Sequence, residues 1–152
     1  MNKRILLADD DASVRETLGR VLTLEHYDVV LAGSGCEAVE RFNAARPDLV
    51  MLDLDMPDQD GWQAFDAMSR AGPGVPVVII TGVPNQAKRA VQAGAAALME
   101  KPPNLPRLLQ TIGDLIVQAI PSWPARTADC QAMISVLPVW SKARPECTGG
   151  TC

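Results

Sequence analysis

Short apolar runs alternate with amphipathic stretches along the first 120 residues of the chain. Each run is aliphatic or β-branched and is bounded by turn residues, which predicts a strand. Each stretch that follows carries apolar side chains at helical spacing. The expected strands are 4–8, 27–32, 49–52, 77–80 and 95–99, and the expected helices are 13–24, 36–45, 61–70, 84–93 and one that begins after Pro102-Pro103.

The strict alternation of strand and helix predicts an α/β fold. Successive right-handed crossovers give a parallel sheet with helices on both faces, and the almost continuously apolar strands fit a sheet that is buried on both sides. Functional groups of such sheets gather at the carboxyl ends of the strands. In this chain those ends carry five polar residues: Asp9, Asp10, Asp53, Thr81 and Lys101.

The alternating pattern stops near Pro121. We therefore expect one domain over residues 1–120, followed by an irregular tail over residues 121–152 that contains no effector domain. Within the tail, only residues 132–137 are apolar enough to form an element. Its larger apolar side chains could dock either on the core or on a partner: Trp123, Ile134, Val136, Leu137 and Trp140.

Composition and charge exclude several classes of protein. The net charge of -4 and the isoelectric point near 4.9 argue against a surface that binds nucleic acid. No apolar run approaches the roughly 18 residues of a membrane span, and the basic opening is followed by too few apolar residues for a secretory signal. The four cysteines lack the spacing of a zinc site, so we expect reduced thiols and a cytoplasmic location.

The strand-end aspartates suggest a cation site. Three carboxylates held together repel one another unless a cation neutralises them or one of them takes up a proton. Magnesium binds one or two carboxylates and leaves positions for phosphate oxygens. Lys101 would add a positive charge and Thr81 a hydroxyl donor, while Asp53 could act as a nucleophile that forms an aspartyl phosphate. The expected chemistry is phosphoryl transfer driven by positioning and charge neutralisation.

These residues resemble one family closely. The stretches that carry the resemblance are Leu6-Leu7-Ala8-Asp9-Asp10, then Asp53-Leu54-Asp55-Met56-Pro57 with Asp60-Gly61, then Thr81 after Ile79-Ile80, and finally Lys101-Pro102. Their order, spacing and strand context are similar to those of the receiver domain of two-component response regulators. The resemblance covers residues 1–120 and implies a flavodoxin-like fold with strand order 2-1-3-4-5.

The resemblance also implies roles for the individual residues. Asp53 would accept a phosphoryl group from a phosphohistidine on a sensor histidine kinase or a phosphotransfer protein. Asp10 and Asp53 would ligate Mg²⁺, Asp9 would act mainly through water, and Asp55 would offer its backbone carbonyl. Lys101 would pair with Asp53 or its phosphate, and Thr81 would move to hydrogen-bond the phosphoryl oxygen. The protein would then be a signalling phosphoacceptor that catalyses only its own phosphorylation and dephosphorylation.

Three positions depart from the family pattern. Leu98 stands where Tyr or Phe is usual, Ala97 where some DNA-binding members carry Asp, and Pro103 where an aromatic residue is common. The first two bear on the output switch and on one mode of dimerisation, and none of the three touches the phosphorylation site. We expect a monomer or weak dimer that signals to a protein target through the face formed by the fourth helix, fifth strand and fifth helix, without binding nucleic acid or membrane.

Two alternative functions remain open for the same residues. Asp53-Leu54-Asp55 with Thr81 and Lys101 also resembles haloacid dehalogenase-type phosphatases, although Pro57 and the early position of Asp9-Asp10 argue against them. A receiver-like interaction module that is never phosphorylated is the second alternative. Each strand-end residue could also simply cap a helix, as we expect of Asp11.

Two weaker motifs have a structural interpretation. A calcium loop at Asp53-x-Asp55 is disfavoured by Pro57, and Gly33-x-Gly35-x-x-Ala38 is expected to be a turn and helix cap rather than a dinucleotide site. We also expect His26, Asp58 and Asp60 to be exposed loop residues.

Overall fold

The computed structural model describes residues 2–56 and 61–118 of the chain. Within these residues, five strands alternate with five helices. The strands are β1 (Arg4–Ala8), β2 (Asp28–Ala32), β3 (Leu49–Asp53), β4 (Val77–Thr81) and β5 (Ala97–Glu100). The helices are α1 (Ala12–Leu24), α2 (Gly35–Ala45), α3 (Gly61–Ala71), α4 (Ala87–Ala93) and α5 (Leu105–Gln118).

All five strands form one parallel sheet in the order β2-β1-β3-β4-β5. This confirms the expected α/β fold and its strand order. The register pairs Ala8 with Leu52 and Asp53 with Ile80, so β1, β3 and β4 end at nearly the same level. Asp9, Asp53 and Thr81 therefore lie side by side at the carboxyl edge of the sheet.

The sheet is buried on both faces, as its apolar strands predicted. Alternate residues along each strand point to opposite sides. Leu6, Val50 and Ile79 pack with apolar side chains of α2, α3 and α4 on one face. Ile5 and Met51 pack with apolar side chains of α1 and α5 on the other.

Helices α1 and α2 begin at side-chain caps. The Asp11 carboxylate accepts hydrogen bonds from the backbone N–H groups of Ser13 and Val14 at the start of α1, which confirms its expected capping role. Ser34 accepts a hydrogen bond from the N–H of Glu37 at the start of α2. The Gly33-x-Gly35 motif is thus a turn and cap, as expected.

The fourth helix differs most from the sequence prediction. The pattern predicts a start at Pro84, but α4 begins at Ala87. Asn85 adopts a left-handed backbone with φ of 62°, a conformation incompatible with a right-handed helix, so residues 82–86 form a loop instead. The fifth strand likewise begins at Ala97, two residues later than expected, because Ala95 donates its N–H to Ala90 in the turn that closes α4.

Several expectations concern residues outside those described. These are residues 121–152, for which we expect an irregular tail, and Pro57, Asp58 and Asp60, so the proposed domain boundary stays a prediction. His26 is exposed in the turn after α1, as expected. Within residues 2–56 and 61–118, no helix is long and apolar enough to cross a membrane.

Candidate functional site

The expected strand-end residues meet at one edge of the sheet. Asp9 and Asp53 are 2% exposed and Thr81 is completely buried. They are the buried polar or charged side chains among the residues that the structure describes. Together with Asp10, which is exposed, these side chains form what we call the carboxylate pocket. Charged and polar groups are rarely buried without a partner, so their interactions define what the pocket can do.

Lys101 joins the two buried carboxylates. Its Nζ lies 3.0 Å from Oδ2 of Asp9 and 3.0 Å from Oδ2 of Asp53, donating a hydrogen bond to each. The backbone explains this reach, because the N–H of Lys101 donates to the carbonyl of Thr81, which fixes the residue beside the end of β4. The lysine side chain is 25% exposed, so its ion pairs with Asp9 and Asp53 are shielded from most of the solvent.

The second oxygen of each buried carboxylate is held by the backbone that follows it. Oδ1 of Asp9 accepts the N–H of Asp11 at 2.9 Å, and Oδ1 of Asp53 accepts the N–H of Asp55 at 3.0 Å. Such local turns are a common use of aspartate side chains after a strand. Both carboxylates are therefore fixed in orientation before any ligand arrives.

The electrostatics of the pocket favour an additional positive charge. Burial raises the pKa of Asp9, and the negative charge of Asp53 adds to this effect, while hydrogen bonds from Asp11 and Lys101 oppose it. For Lys101, burial alone would lower the pKa. The hydrogen bonds and charges of Asp53 and Asp9 outweigh burial, so the pKa of Lys101 is raised and the ammonium stays charged.

Three carboxylates are close enough to share one cation. Oxygen atoms of Asp9, Asp10 and Asp53 all lie within 4.8 Å of one another. These three negative charges and the one positive charge of Lys101 leave a formal net charge of -2. A divalent cation with a preference for oxygen ligands matches both the charge and the donor set, and Mg²⁺ meets both conditions. The exposed position of Asp10 leaves a route for the ion to enter.

The hydroxyl of Thr81 is hydrogen-bonded to the loop after β4. Its Oγ1 accepts the backbone N–H of Val83 at 3.0 Å. A threonine hydroxyl has one proton to donate and two lone pairs, so it can still donate a hydrogen bond. Thr81 thus connects the carboxylate pocket to residues 82–86.

Arg15 is a neighbour of the pocket that the sequence did not predict. Its Nη1 donates a hydrogen bond of 2.7 Å to the backbone carbonyl of Asp9. Arg15 lies one helical turn after the cap Asp11. The spacing of Asp11 and Arg15 is visible in the sequence, but no sequence motif predicts a hydrogen bond from a side chain to the main-chain carbonyl of Asp9.

The structure also locates the residues that depart from the family pattern. Leu98 is partly buried and packs against the core on the side of α2, α3 and α4, opposite Ile79 in the sheet register. Ala97 is fully buried and Pro103 is half-buried. Asp55 is exposed, and its backbone N–H donates to Asp53.

The sequence matches the profile of the response regulator receiver domain over residues 5–113. The chain belongs to the response regulator receiver family. This match confirms the resemblance, and it spans the sheet and all the strand-end residues described above.

Curated relatives agree with this assignment. The chain is 39% identical over 124 residues to the transcriptional regulatory protein GlrR of Escherichia coli strain K12, covering 80% of this chain and 28% of that protein. It is 36% identical over 118 residues to the response regulator MprA of Mycobacterium ulcerans, covering 76% of this chain and 51% of that protein. The chain thus spans about half or less of these relatives.

Solved structures show the same fold. A CheY-like receiver domain protein from Methanospirillum hungatei superposes with a TM-score of 0.75 at 26% identity, covering 78% of this chain and 97% of that one. The receiver domain of NtrX from Brucella abortus gives a TM-score of 0.69 at 29% identity, covering 74% and 98% of the two chains.

Proposed function

We propose that this receiver domain accepts a phosphoryl group on Asp53 from a phosphohistidine of a sensor histidine kinase or phosphotransfer protein, in a reaction that requires Mg²⁺. The observation that carries the proposal is the bridge of Lys101 to Asp53 and Asp9, with Asp10 beside it. A buried, oriented carboxylate held next to a fixed cation is suited to attack an anionic donor.

Asp53 is the best-placed nucleophile of the three aspartates. Asp9 has a raised pKa and its Oδ1 is turned toward α1, while Asp10 is exposed and able to hold a cation. Asp53 lies at the end of the central strand β3, where Lys101 and Thr81 flank it from β5 and β4. An incoming phosphoryl group at Asp53 would therefore meet an ammonium on one side and a hydroxyl on another.

The step is an in-line displacement. An oxygen of the Asp53 carboxylate attacks phosphorus, an O–P bond forms, and the P–N bond to the donor imidazole breaks with its electron pair going to the ring nitrogen. Lys101 would follow the growing negative charge from the carboxylate to the phosphoryl oxygens, and Thr81 would donate a hydrogen bond to one of them. Hydrolysis by water returns free Asp53 and inorganic phosphate.

The metal would be held by Asp10 and Asp53, with Asp9 acting mainly through water and the carbonyl of Asp55 as a further ligand. When bound, Mg²⁺ would neutralise phosphoryl oxygens and so reduce the repulsion between the donor and the pocket. The formal charge of -2 on the four side chains supports this assignment, because an anionic donor would otherwise be repelled.

The signal would leave through the surface formed by α4, β5 and α5. Thr81 stands at the end of β4, next to β5, and its hydroxyl already contacts the loop that leads to α4. Phosphorylation would draw Thr81 toward the phosphate and thereby change this surface, to which a downstream protein binds. We expect the protein to act as a monomer or weak dimer and without direct contact to nucleic acid.

Intact mass after incubation with acetyl phosphate and Mg²⁺ tests the proposal. Wild-type protein should gain one phosphoryl group, and Asp53→Asn should gain none. Asp66→Asn serves as the control, since Asp66 is an exposed α3 residue that pairs with Arg70 of the same helix. Full labelling of Asp53→Asn would refute Asp53 as the acceptor.

Intact mass followed over time, together with phosphate release from phosphate monoesters, separates the alternatives. A receiver should retain the phosphoryl group for an appreciable time and turn over no phosphate monoesters. A haloacid dehalogenase-type phosphatase would release many equivalents of phosphate from such esters. A receiver-like module that is never phosphorylated would gain no mass under any of these conditions, although it would fold normally.

A further inference from the structure

The first residues of α3 pack directly against the backbone of Asp53. At Gly61, an added Cβ would lie 2.5 Å from the Cα of Leu54 and 2.9 Å from the carbonyl oxygen of Asp53. Backbone atoms cannot move aside as a flexible side chain can, so any larger residue here would push α3 away. The close approach therefore fixes the next residue, Trp62, relative to Asp53.

The other side of Trp62 faces the start of α4. Its Nε1 donates a hydrogen bond of 3.3 Å to Oε1 of Gln86, and the guanidinium carbon of Arg89 lies 4.5 Å from its ring centroid. Trp62 is 8% exposed, and its ring packs in a T-shaped arrangement with Phe65 of α3, with centroids 5.7 Å apart. Trp62 is thus held on α3 while it contacts two residues of the α4 region.

Few local interactions stabilise the start of α4. The helix is only seven residues long, and its N-cap residue Gln86 makes no side-chain cap hydrogen bond. The preceding loop is exposed, with Val83 38% exposed and open space around Gly82. A short helix that follows an exposed loop and has no side-chain cap at its N-terminus belongs to the less stable part of a fold, so the contacts of Trp62 matter there.

Thr81 and Trp62 hold opposite ends of the same loop. The hydroxyl of Thr81 accepts the N–H of Val83 at one end, and Trp62 holds Gln86 at the other. Two sets of contacts therefore position Thr81 relative to Asp53. One is the pairing of β3 with β4 in the sheet, and the other runs from Asp53 through Gly61 and Trp62 to the loop.

We propose that Trp62 is a positioning residue for the phosphoryl site: it ties residues 82–86 to the backbone of Asp53, and it senses the movement of Thr81 toward the phosphoryl group. This inference rests on the proposed phosphorylation of Asp53. If Thr81 turns toward the phosphoryl group, the acceptor of the Val83 N–H moves. The loop then shifts at Gln86, and the surroundings of the Trp62 indole change with it.

Tryptophan fluorescence of the 152-residue chain tests the sensing role. Trp123 and Trp140 are replaced by Phe so that Trp62 is the only tryptophan, and beryllofluoride with Mg²⁺ serves as the phosphoryl mimic. We expect a change in emission on addition of the mimic, which Asp53→Asn and Thr81→Ala should both abolish. An emission spectrum that stays constant although the mimic binds by calorimetry would overturn this part.

Labelling kinetics test the positioning role. Trp62→Phe keeps a ring but removes the N–H, and Gln86→Leu removes its acceptor. Each should slow labelling by acetyl phosphate about fivefold, the factor that one neutral hydrogen bond is worth, and should leave Mg²⁺ affinity unchanged. A purely structural role would instead lower thermal stability and Mg²⁺ affinity together.

Phe65→Leu provides the matched control. Phe65 packs against the Trp62 ring from within α3, so its loss should cost stability without changing the labelling rate. If wild type is labelled and both Trp62→Phe and Gln86→Leu are labelled at the same rate, the inference alone is overturned. A wild-type protein that takes up no phosphoryl group would overturn the proposed function, and this inference with it.

Discussion

The ammonium nitrogen of Lys101 lies 3.0 Å from Oδ2 of Asp53, although the two residues are 48 positions apart in the chain. Strands β3 and β4 and the backbone hydrogen bond from Lys101 to Thr81 bring them together. The same nitrogen contacts Asp9 at an equal distance. The Lys101 ammonium therefore pairs with two buried carboxylates, and its removal should affect both of them.

Replacement of Lys101 by Met should separate catalysis from metal binding. Without the ammonium, negative charge that develops on the phosphoryl oxygens loses its partner. Labelling by acetyl phosphate should therefore slow on the order of 100-fold, as when one preorganised charge-stabilising group is removed. The formal charge of the pocket would become more negative by one, so Mg²⁺ affinity by calorimetry should not fall. Lys88→Met, an exposed α4 substitution, is the control, and equal losses in both variants would contradict the prediction.

Asp10 should matter more for metal binding than its neighbour Asp11. Asp10→Ala removes a carboxylate from the cluster and should weaken Mg²⁺ binding by about tenfold or more, since even indirect partners of a metal can be worth that much. By relieving repulsion it should also stabilise the metal-free protein. Asp11→Asn is the matched control, because asparagine preserves the α1 cap while removing the charge. Equal Mg²⁺ affinity in wild type and Asp10→Ala by calorimetry would refute this.

Glu37 gives the fold a defined pH dependence. Its Oε2 accepts the N–H of Gly33 at 2.8 Å, and this hydrogen bond, followed by that of Arg41, lowers the pKa of Glu37 below its usual 4.5. A carboxylate with a lowered folded-state pKa stabilises the protein above its unfolded pKa, and this contribution is lost as the pH falls through the folded-state value.

The free energy of unfolding should therefore differ between wild type and Glu37→Gln at neutral pH, with wild type more stable. The difference should shrink below pH 4.5 as Glu37 becomes protonated. Urea denaturation across this range measures it. Arg41→Met should have the smaller effect, since the Gly33 hydrogen bond is the larger cause of the pKa shift. A larger effect of Arg41→Met would contradict this ranking.

The sequence predicted the sheet and the pocket for a clear reason. Each strand is an apolar run long enough to cross the core once, and the residue after it falls at the carboxyl edge by topology alone. This rule was enough to predict the positions of Asp9, Asp53 and Thr81. The position of Lys101 was predicted from the apolar run of β5 that precedes it. The family resemblance then supplied the expected roles, which local pattern alone left open.

The sequence did not predict the start of α4 or the contacts of Trp62. Asn85 in a left-handed conformation shortens α4, and asparagine adopts that conformation only in some contexts. The Gln86–Trp62 hydrogen bond and the Arg89 stacking join residues 24 or more positions apart, which no local pattern encodes. Likewise, Leu105 belongs to the apolar periodicity of α5 but is 37% exposed as the first residue of that helix.

Leu98 should make the switch of this receiver graded rather than complete. The family resemblance implies that the usual aromatic side chain at this position of β5 fills the space that the moving threonine opens. Leu98 is shorter, lacks a hydroxyl and is already packed against the core beside Ile79, so its contacts differ less between the two states. A modification shifts a conformational equilibrium only by its differential interaction with the two states, so a smaller difference gives a smaller shift.

Backbone amide chemical shifts with and without beryllofluoride measure this. In wild type, the changes from Lys88 to Leu109 should be small, and Leu98→Tyr should enlarge them by adding a side chain that can occupy the opened space. Leu98→Met is the matched control, because it conserves volume without adding a ring or a hydroxyl and should resemble wild type. If wild type already shows a large shift across α4, β5 and α5 that Leu98→Tyr does not increase, the signal does not depend on an aromatic residue at this position. A small shift in wild type would instead favour communication through Gly82 to Gln86, the loop that contacts Thr81 at one end and Trp62 at the other.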